Sequence, residues 1–469
     1  MATRRRAGRP VAPTTVAPTT IERTAAGTSA AGTSAAGTSA AGTSAAGTSA
    51  AGTSAAGVSA ARTKPPRQAQ KARPASVALP RVIQPGRIPI KSWALELEES
   101  ALRQATNLSN LAIARRHVAL MPDTHTGYGM PIGGVLFADR AVVPYAIGVD
   151  IGCGVSLVAT DLTVDRLPPA ALEKLLDRIA SGVPVGMRSQ PQRVDRARAE
   201  AEIGLERPTS IEPAWLAHGV DQLGTLGSGN HFLELQHDAD GRVYVMLHSG
   251  SRSLGKAICD AFHKRALALD RRLGLTLPDP ELAYLTDDTD EHHAYWAAMT
   301  YALRFAVVNR SRMLDVVQRA LEATTGVRLF DRIVDIHHNY AAWETHFGGD
   351  GIVHRKGAVR AGRGDPVLIP GSMGTASYVG EGLGHPDAFE TCQHGAGRAM
   401  SRHAARRAKS SGEVYDEMAG LGVVLHAGDS RAVAEEAAFA YKDIEAVMVA
   451  SSNLVRPTKR LTPLGVVKG

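Results

Sequence analysis

Residues 25–54 of this 469-residue chain are the pentapeptide AAGTS written six times, and residues 55–59 repeat it as AAGVS. A stretch made of Ala, Gly, Ser and Thr has too little apolar bulk to offset the entropy of ordering its backbone. Its five-residue period is also too short for a stacked repeat fold. The segment reads as a disordered, low-complexity basic tail that runs, with Pro-rich flanks, over residues 1–80. A core must therefore come from residues 81–469. Ten Lys/Arg face a single acid, Glu22, in residues 1–80; that is +9, so the net charge of +7 leaves −2 on the remainder. The basic balance belongs to the tail and gives no ground for calling the folded part a nucleic-acid binder. Three uses of the tail stay open: none at all, non-specific RNA affinity through its cations, or an organelle address.

Beyond residue 80 the composition is that of an ordinary globular protein, with 44% apolar and 21% charged residues over the whole chain. No run of 18 apolar residues suggests a membrane span, and the N-terminus has no apolar core of a secretory signal. Cys153, Cys259 and Cys392 are too few, and odd in number, for a disulfide framework, which fits a reducing, cytoplasmic setting. Apolar runs bounded by Gly and Pro predict strands at residues 118–120, 133–137, 155–159, 243–247, 353–369 in pieces and 422–425. Helical spacing predicts helices at 170–179, at 294–325 with Gly326 as C-cap, and at 435–451 before a short C-terminal strand. Strands and helices alternate without a βαβ rhythm. The expected fold is α/β of the mixed α+β kind: one large catalytic domain, residues 81–469, with mixed β-sheets flanked by helices.

Glycine-framed clusters carry the chemistry. Asp150-Ile151-Gly152-Cys153-Gly154 follows an apolar run and sets a carboxylate and a thiol three residues apart, able to share one ion or to let sulfur bridge two. Alone, it is better read as a buried inert cysteine. Gly229-Asn230-His231-Phe232-Leu233-Glu234, His248-Ser249-Gly250-Ser251-Arg252 and His337-His338-Asn339-Tyr340 each place histidine beside small or polar residues. Together with Asp150 and Cys153 they offer N, O and S donors of a transition-metal site assembled from distant loops, with no CxxC pair to suggest a zinc finger. His394-Gly395-Ala396-Gly397-Arg398 exposes an imidazole where a phosphate could approach, so His394 could attack phosphorus or simply line a phosphate-binding turn. The stretch from His354 to Ser377 is rich in cations and then in Gly and Ser, as an anion cradle or a solvated loop would be. Gly250 to Ala257 nearly matches a P-loop, but Ala257 replaces the hydroxyl that would hold magnesium. The KxDG motif of lysine-nucleophile ligases is absent.

Over about residues 88–469 these clusters resemble, in order, the RtcB family of RNA ligases. The resemblance runs through Ile88-Pro89-Ile90-Lys91-Ser92-Trp93, Met121-Pro122-Asp123-Thr124-His125, Val149 to Gly154, Gly229 to Phe232, His248 to Arg252, His338-Asn339-Tyr340, Arg355 to Ala358, Pro370 to Gly374, His394 to Arg398, Ala440 to Asp443 and Val467-Lys468-Gly469. It departs from the family pattern at Thr391, where serine is usual, and in the repetitive N-terminus. It implies an RNA ligase that uses GTP and two manganese ions to join a 3′-phosphate or 2′,3′-cyclic phosphate end to a 5′-hydroxyl end, in tRNA splicing or RNA repair. Asp150, Cys153, His231, His248 and His338 would be the metal ligands, and His394 the nucleophile that takes GMP. Asn230, Phe232, Glu234, Ser372, Ser377, Gly395, Tyr441 and Lys468 would hold the guanine nucleotide. Arg252 and Arg398 would contact phosphate or RNA, and Asp123 and His125 would orient the ligating groups from behind. An archease-like activator is a possible partner. The competing readings are a metal-dependent phosphodiesterase, an end-capping enzyme, or a non-catalytic RNA- or GTP-binding protein.

Overall fold

A computed structural model describes residues 19–22, 78–186, 194–428 and 430–469, with backbone alone at 19–22, 329–333 and 430–432. The repeats, expected as a disordered tail, lie outside the described residues. Within that tail, Thr19–Glu22 is a strand that pairs antiparallel with Leu329–His337, a local departure from the expectation for residues 1–80.

Two sheets form the framework. The larger has nine strands and runs, in order, Thr19–Glu22, Leu329–His337, Gly154–Thr163, Arg242–Ser249, Phe232–His237, Val455–Lys468, Ser377–Gly382 and Pro366–Ile369, with Val424–Ala427 joined parallel to Val455–Lys468. The smaller runs Asn339–His346, Gly349–Lys356, Ile132–Ala138, Ala114–His125, Ile90–Ser92 and Arg81–Ile83. Strand side chains alternate between faces, and this period assigns every layer. In Arg242–Ser249, Val243, Val245 and Leu247 join one apolar cluster, while Tyr244 and Met246 join another. The second cluster also takes Ala119, Met121, Val135, Phe137 and Val353 from the smaller sheet, so it fills the space between the sheets.

Helices close the outer faces. Pro169–Gly182 buries Leu172, Leu175, Leu176 and Ile179 behind the larger sheet, beside Met313, Leu314 and Val317 of the 36-residue helix Asp290–Thr325. Truncating one such leucine to alanine costs about 2–5 kcal/mol. The long helix starts where the Thr289 side chain accepts from His292 N, and it stops at left-handed Gly326, whose N–H bonds to Glu322 O. Its first half packs on Arg252–Arg272, a helix that apolar spacing did not announce. The predicted helix over residues 435–451 is broken in the structure. Short 3-10 turns at Ser430–Glu436 and Ala438–Ala440 precede Ile444–Ala450, which starts at Asp443, whose carboxylate accepts from Glu445 N. The break turns Glu436 and Tyr441 toward one another, and the Tyr441 hydroxyl donates to Glu436. The C-terminal strand, expected to be short, has 14 residues. No helix among the described residues is long and apolar enough to cross a membrane.

Candidate metal and nucleotide site

The site begins as one row across the larger sheet. Register pairs Val155 with His248, His248 with Phe232, and Phe232 with Lys468, so these four side chains project from the same face. Glu234 lies two residues on from Phe232, and therefore on that face too. The chain then changes sheets at a single residue. His337 pairs with Gly154 in the larger sheet and Asn339 with Lys356 in the smaller, leaving His338 between them. His337 turns away, its Nδ1 3.0 Å from Gly152 O, while His338 turns into the cluster.

The turn carrying Asp150 and Cys153 is pinned to this crossing. Gly152 N donates to Asn339 O at 2.9 Å, His338 N to Cys153 O at 2.9 Å, and the Asn339 amide to Asp150 O at 3.0 Å. Behind it, the buried Arg310 guanidinium pairs with Asp335 and donates to Gly152 O at 3.0 Å and Ser249 O at 2.9 Å. Ser251 Oγ donates to Ile151 O at 2.5 Å, which ties the start of the Arg252–Arg272 helix to the same turn. A Cβ on Gly250 would stand 2.3 Å from Asp150 Oδ1, so no other residue fits there without moving the carboxylate.

Five side chains converge. Cys153 Sγ lies 3.4 Å from His231 Nε2 and 3.2 Å from His248 Nε2; His231 Nε2 is 3.0 Å from Asp150 Oδ2, and His248 Nε2 is 3.3 Å from His338 Nε2. Carbonyl oxygens only accept. His231 Nδ1 must therefore donate to Leu226 O at 2.9 Å, and His248 Nδ1 to Asn230 O at 3.2 Å. Both Nε2 atoms then point lone pairs at sulfur, carboxylate and a third imidazole. Burial holds His248 and His338 well below the ordinary histidine value, so they are neutral donors. Burial tends to raise the Asp150 carboxyl, but its polar surroundings, the nearby Arg252 guanidinium among them, outweigh it and keep Asp150 ionised. Asp150 Oδ1 and His338 Nδ1 are buried without a hydrogen-bond partner. A cluster of lone pairs with an orphaned carboxylate oxygen is what a divalent cation neutralises, and the Cys153, His231 and His248 donor atoms lie within 4.8 Å of one another. Cys153 stands centrally, with His231 and His248 on two sides, so the three could hold one ion.

His394 adjoins this cluster, its ring 4.9 Å from that of His338. Asp123 Oδ2 accepts from His394 Nδ1 at 2.6 Å and from His394 N at 3.2 Å, which fixes the ring and leaves Nε2 with the lone pair. Gly397 has φ +72, and a Cβ there would meet Asp123 O at 2.2 Å, so this turn needs glycine both for conformation and for room. His125 lies behind, its Nδ1 3.0 Å from Asp123 O.

A cavity of about 290 Å³ opens beside His394, lined among others by His125, Asn230, Phe232, Glu234, His248, Ser372, Gly395, Arg398, Tyr441 and Lys468. Its size is at the lower end for a small-molecule site. Burial pushes Glu234 up to about 7 against the pull of Gln236 and Lys468. Burial likewise lowers Lys468, whose ammonium sits 5.7 Å over the Phe232 ring and 3.5 Å from Glu436. Burial tends to raise Glu436, but Lys468, Arg402 and Arg398 hold it below the usual carboxylate range.

Two predicted contacts lie elsewhere. Ser377 stands one layer behind the wall, accepting from Gly371 N at 3.2 Å and from the Gln236 amide at 3.0 Å. Arg252, at φ +58, lies beside the donor cluster, donating to Thr225 Oγ1 and Gly186 O, both at 3.2 Å. Sequence reading missed Arg402 and Glu436, which line the cavity. Arg402 stands four residues past Arg398, a spacing that could have raised it; nothing local marks Glu436.

Comparisons with known proteins agree on one family. A family model described as tRNA-splicing ligase RtcB matches residues 104–207 and 190–469. The RNA-splicing ligase RtcB of Escherichia coli (strain K12) is 38% identical over 402 residues, covering 81% of this chain and 97% of that protein. The RNA-splicing ligase RtcB of Mycobacterium tuberculosis is 37% identical over 434 residues, covering 78% of this chain and all of the relative. The tRNA-splicing ligase RtcB of Pyrobaculum aerophilum is 36% identical over 465 residues, with 82% and 95% covered.

Proposed function

The chain belongs to the RtcB family of RNA-splicing ligases, and on that premise we propose that it joins an RNA 3′-phosphate or 2′,3′-cyclic phosphate end to a 5′-hydroxyl end, using GTP and two manganese ions. The observation that carries this reading is the Asp123–His394 pair at 2.6 Å, set between the donor cluster and the cavity beside it. A phosphodiesterase would need no such oriented nucleophile.

Asp150, Cys153, His231, His248 and His338 would hold the metal ions, which supply Lewis acidity that stabilises charge on phosphate oxygens. His394 Nε2 attacks the α-phosphorus of GTP; the N–P bond forms as the bond to pyrophosphate breaks. Asp123 holds the ring in the reactive tautomer and balances the positive charge it gains. An oxygen of the RNA 3′-phosphate then displaces His394 from phosphorus, leaving the RNA end capped by GMP. The 5′-hydroxyl of the second RNA attacks the RNA phosphate, loses its proton, and GMP leaves.

Guanine fits the cavity's charges. Its O6 accepts and its N1 and N2 groups donate, matching the Lys468 ammonium and the Glu234 carboxylate; adenine would set an amino group against the lysine. Phe232 and Tyr441, which line the cavity, would flank the base, and Arg398 would meet the phosphates.

Incubation with manganese and α-labelled GTP tests the reading. Acid-labile label on the wild type, lost in His394→Ala, is expected. An unlabelled wild type, with manganese and an archease-like activator supplied, would refute it.

A further inference from the structure

Between His125-Thr126 and Ile132 the chain leaves the cavity wall and returns to it, since His125, Thr126 and Ile132 all line the cavity and the residues between do not. Near the apex stands Tyr128, 64% exposed. A single exposed tyrosine is ordinary on a protein surface. This one sits on a loop fixed with unusual completeness. The Gln104 side chain bonds both backbone groups of Gly127, accepting from its N at 3.1 Å and donating to its O at 2.5 Å. Gly129 N donates to the Glu281 carboxylate. The buried Lys356 ammonium donates to Tyr128 O at 2.5 Å, Met130 O at 2.9 Å and Tyr145 O at 3.1 Å. Gly129 is left-handed at φ +64, and a Cβ there would meet Glu281 O at 2.9 Å. Polar groups from three separate elements, the buried Lys356 and the half-buried Gln104 and Glu281, thus hold an aromatic ring out in solvent, two residues from the cavity wall.

We propose that Tyr128 is a stacking platform for an unpaired base of the single-stranded RNA beside the joined phosphate. The proposal rests on the ligase reading, and it adds a contact outside the nucleotide cavity. A ring whose backbone is already fixed loses little entropy on binding, and every base offers it a π-face. Lys256, on the helix Arg252–Arg272, is within electrostatic reach of the Tyr128 phenol, though its ammonium is paired with Asp260 at 2.5 Å.

The test uses the full chain and RNA strands with 2-aminopurine at each of the first positions from the 3′-phosphate or the 5′-hydroxyl. Quenching on binding at one of these positions is expected, lost in Tyr128→Ala and kept in Tyr128→Trp. The KM for that strand should rise about tenfold in Tyr128→Ala, the worth of one stacked base. Guanylylation of His394 without RNA should be unchanged, which shows the fold intact. Quenching that is absent at every position, or that survives Tyr128→Ala, overturns the proposal. Binding is read without turnover, so a chain that quenches but never guanylylates would refute the ligase chemistry and leave the platform standing.

Discussion

The donor cluster and the nucleotide cavity share a wall at His248, yet they are held in opposite ways. In the cluster, His231 and His248 each spend one ring nitrogen on a backbone carbonyl, and the Asp150 turn is tied by backbone and Asn339 bonds. Backbone partners of that kind allow one geometry. In the cavity the anchors are side-chain charges: Glu436 is shared by Arg398, Arg402 and Lys468, and the Tyr441 hydroxyl also donates to it. Such a network can re-pair when a ligand arrives. On the proposed function, the cluster would hold its metal ions at fixed distances, and the cavity would exchange charged partners as the nucleotide binds and leaves.

The comparison can be broken most forcefully at the sulfur. Cys153→Ala removes the atom between His231 and His248. Manganese binding, followed by titration calorimetry, should fall at least a hundredfold, and ligation should become undetectable. Asp123→Asn acts between the two regions. It should cut guanylylation on the order of a hundredfold or more, by freeing the tautomer of His394, while leaving manganese affinity within a few-fold. Equal loss of both would show that Asp123 supports the cluster instead. Gly250→Ala tests rigidity: its methyl would displace Asp150, and manganese affinity should weaken about tenfold to a hundredfold with GTP affinity little changed.

The smallest effect is expected in the adjustable region. Burial raises the Glu234 carboxyl to about 7, so it is increasingly protonated below that pH and increasingly able to accept from guanine above it. The KM for GTP should therefore rise several-fold as pH falls from 8 to 6. Glu234→Gln should flatten that dependence; a profile unchanged in the variant would separate Glu234 from nucleotide recognition.

Much of this was legible locally. Gly326 ends the long helix where its position after an apolar-periodic run predicts, because a left-handed C-cap is a local property. Strand cores at residues 133–137, 155–159 and 243–247 fall inside the observed strands, because apolar residues bounded by glycine favour a buried ladder. The helix expected over residues 435–451 failed because its periodicity competes with the ionic network around Glu436, whose partners lie far along the chain.

The sequence by itself determined the chemical inventory: the donors Asp150, Cys153, His231, His248 and His338, the imidazole of His394, and the glycines that let backbone pass close to them. Only the tertiary structure decided how that inventory is used. It supplies the reason that His338, already named from the family resemblance, enters the cluster and His337 does not: the chain changes sheets between them, and successive residues on extended backbone face opposite ways. It set Ser377 behind the cavity wall and brought Asp123 to His394, 271 residues away. Those choices rest on strand register and sheet-to-sheet packing, which arise between segments remote in sequence and leave no mark on the residues nearby.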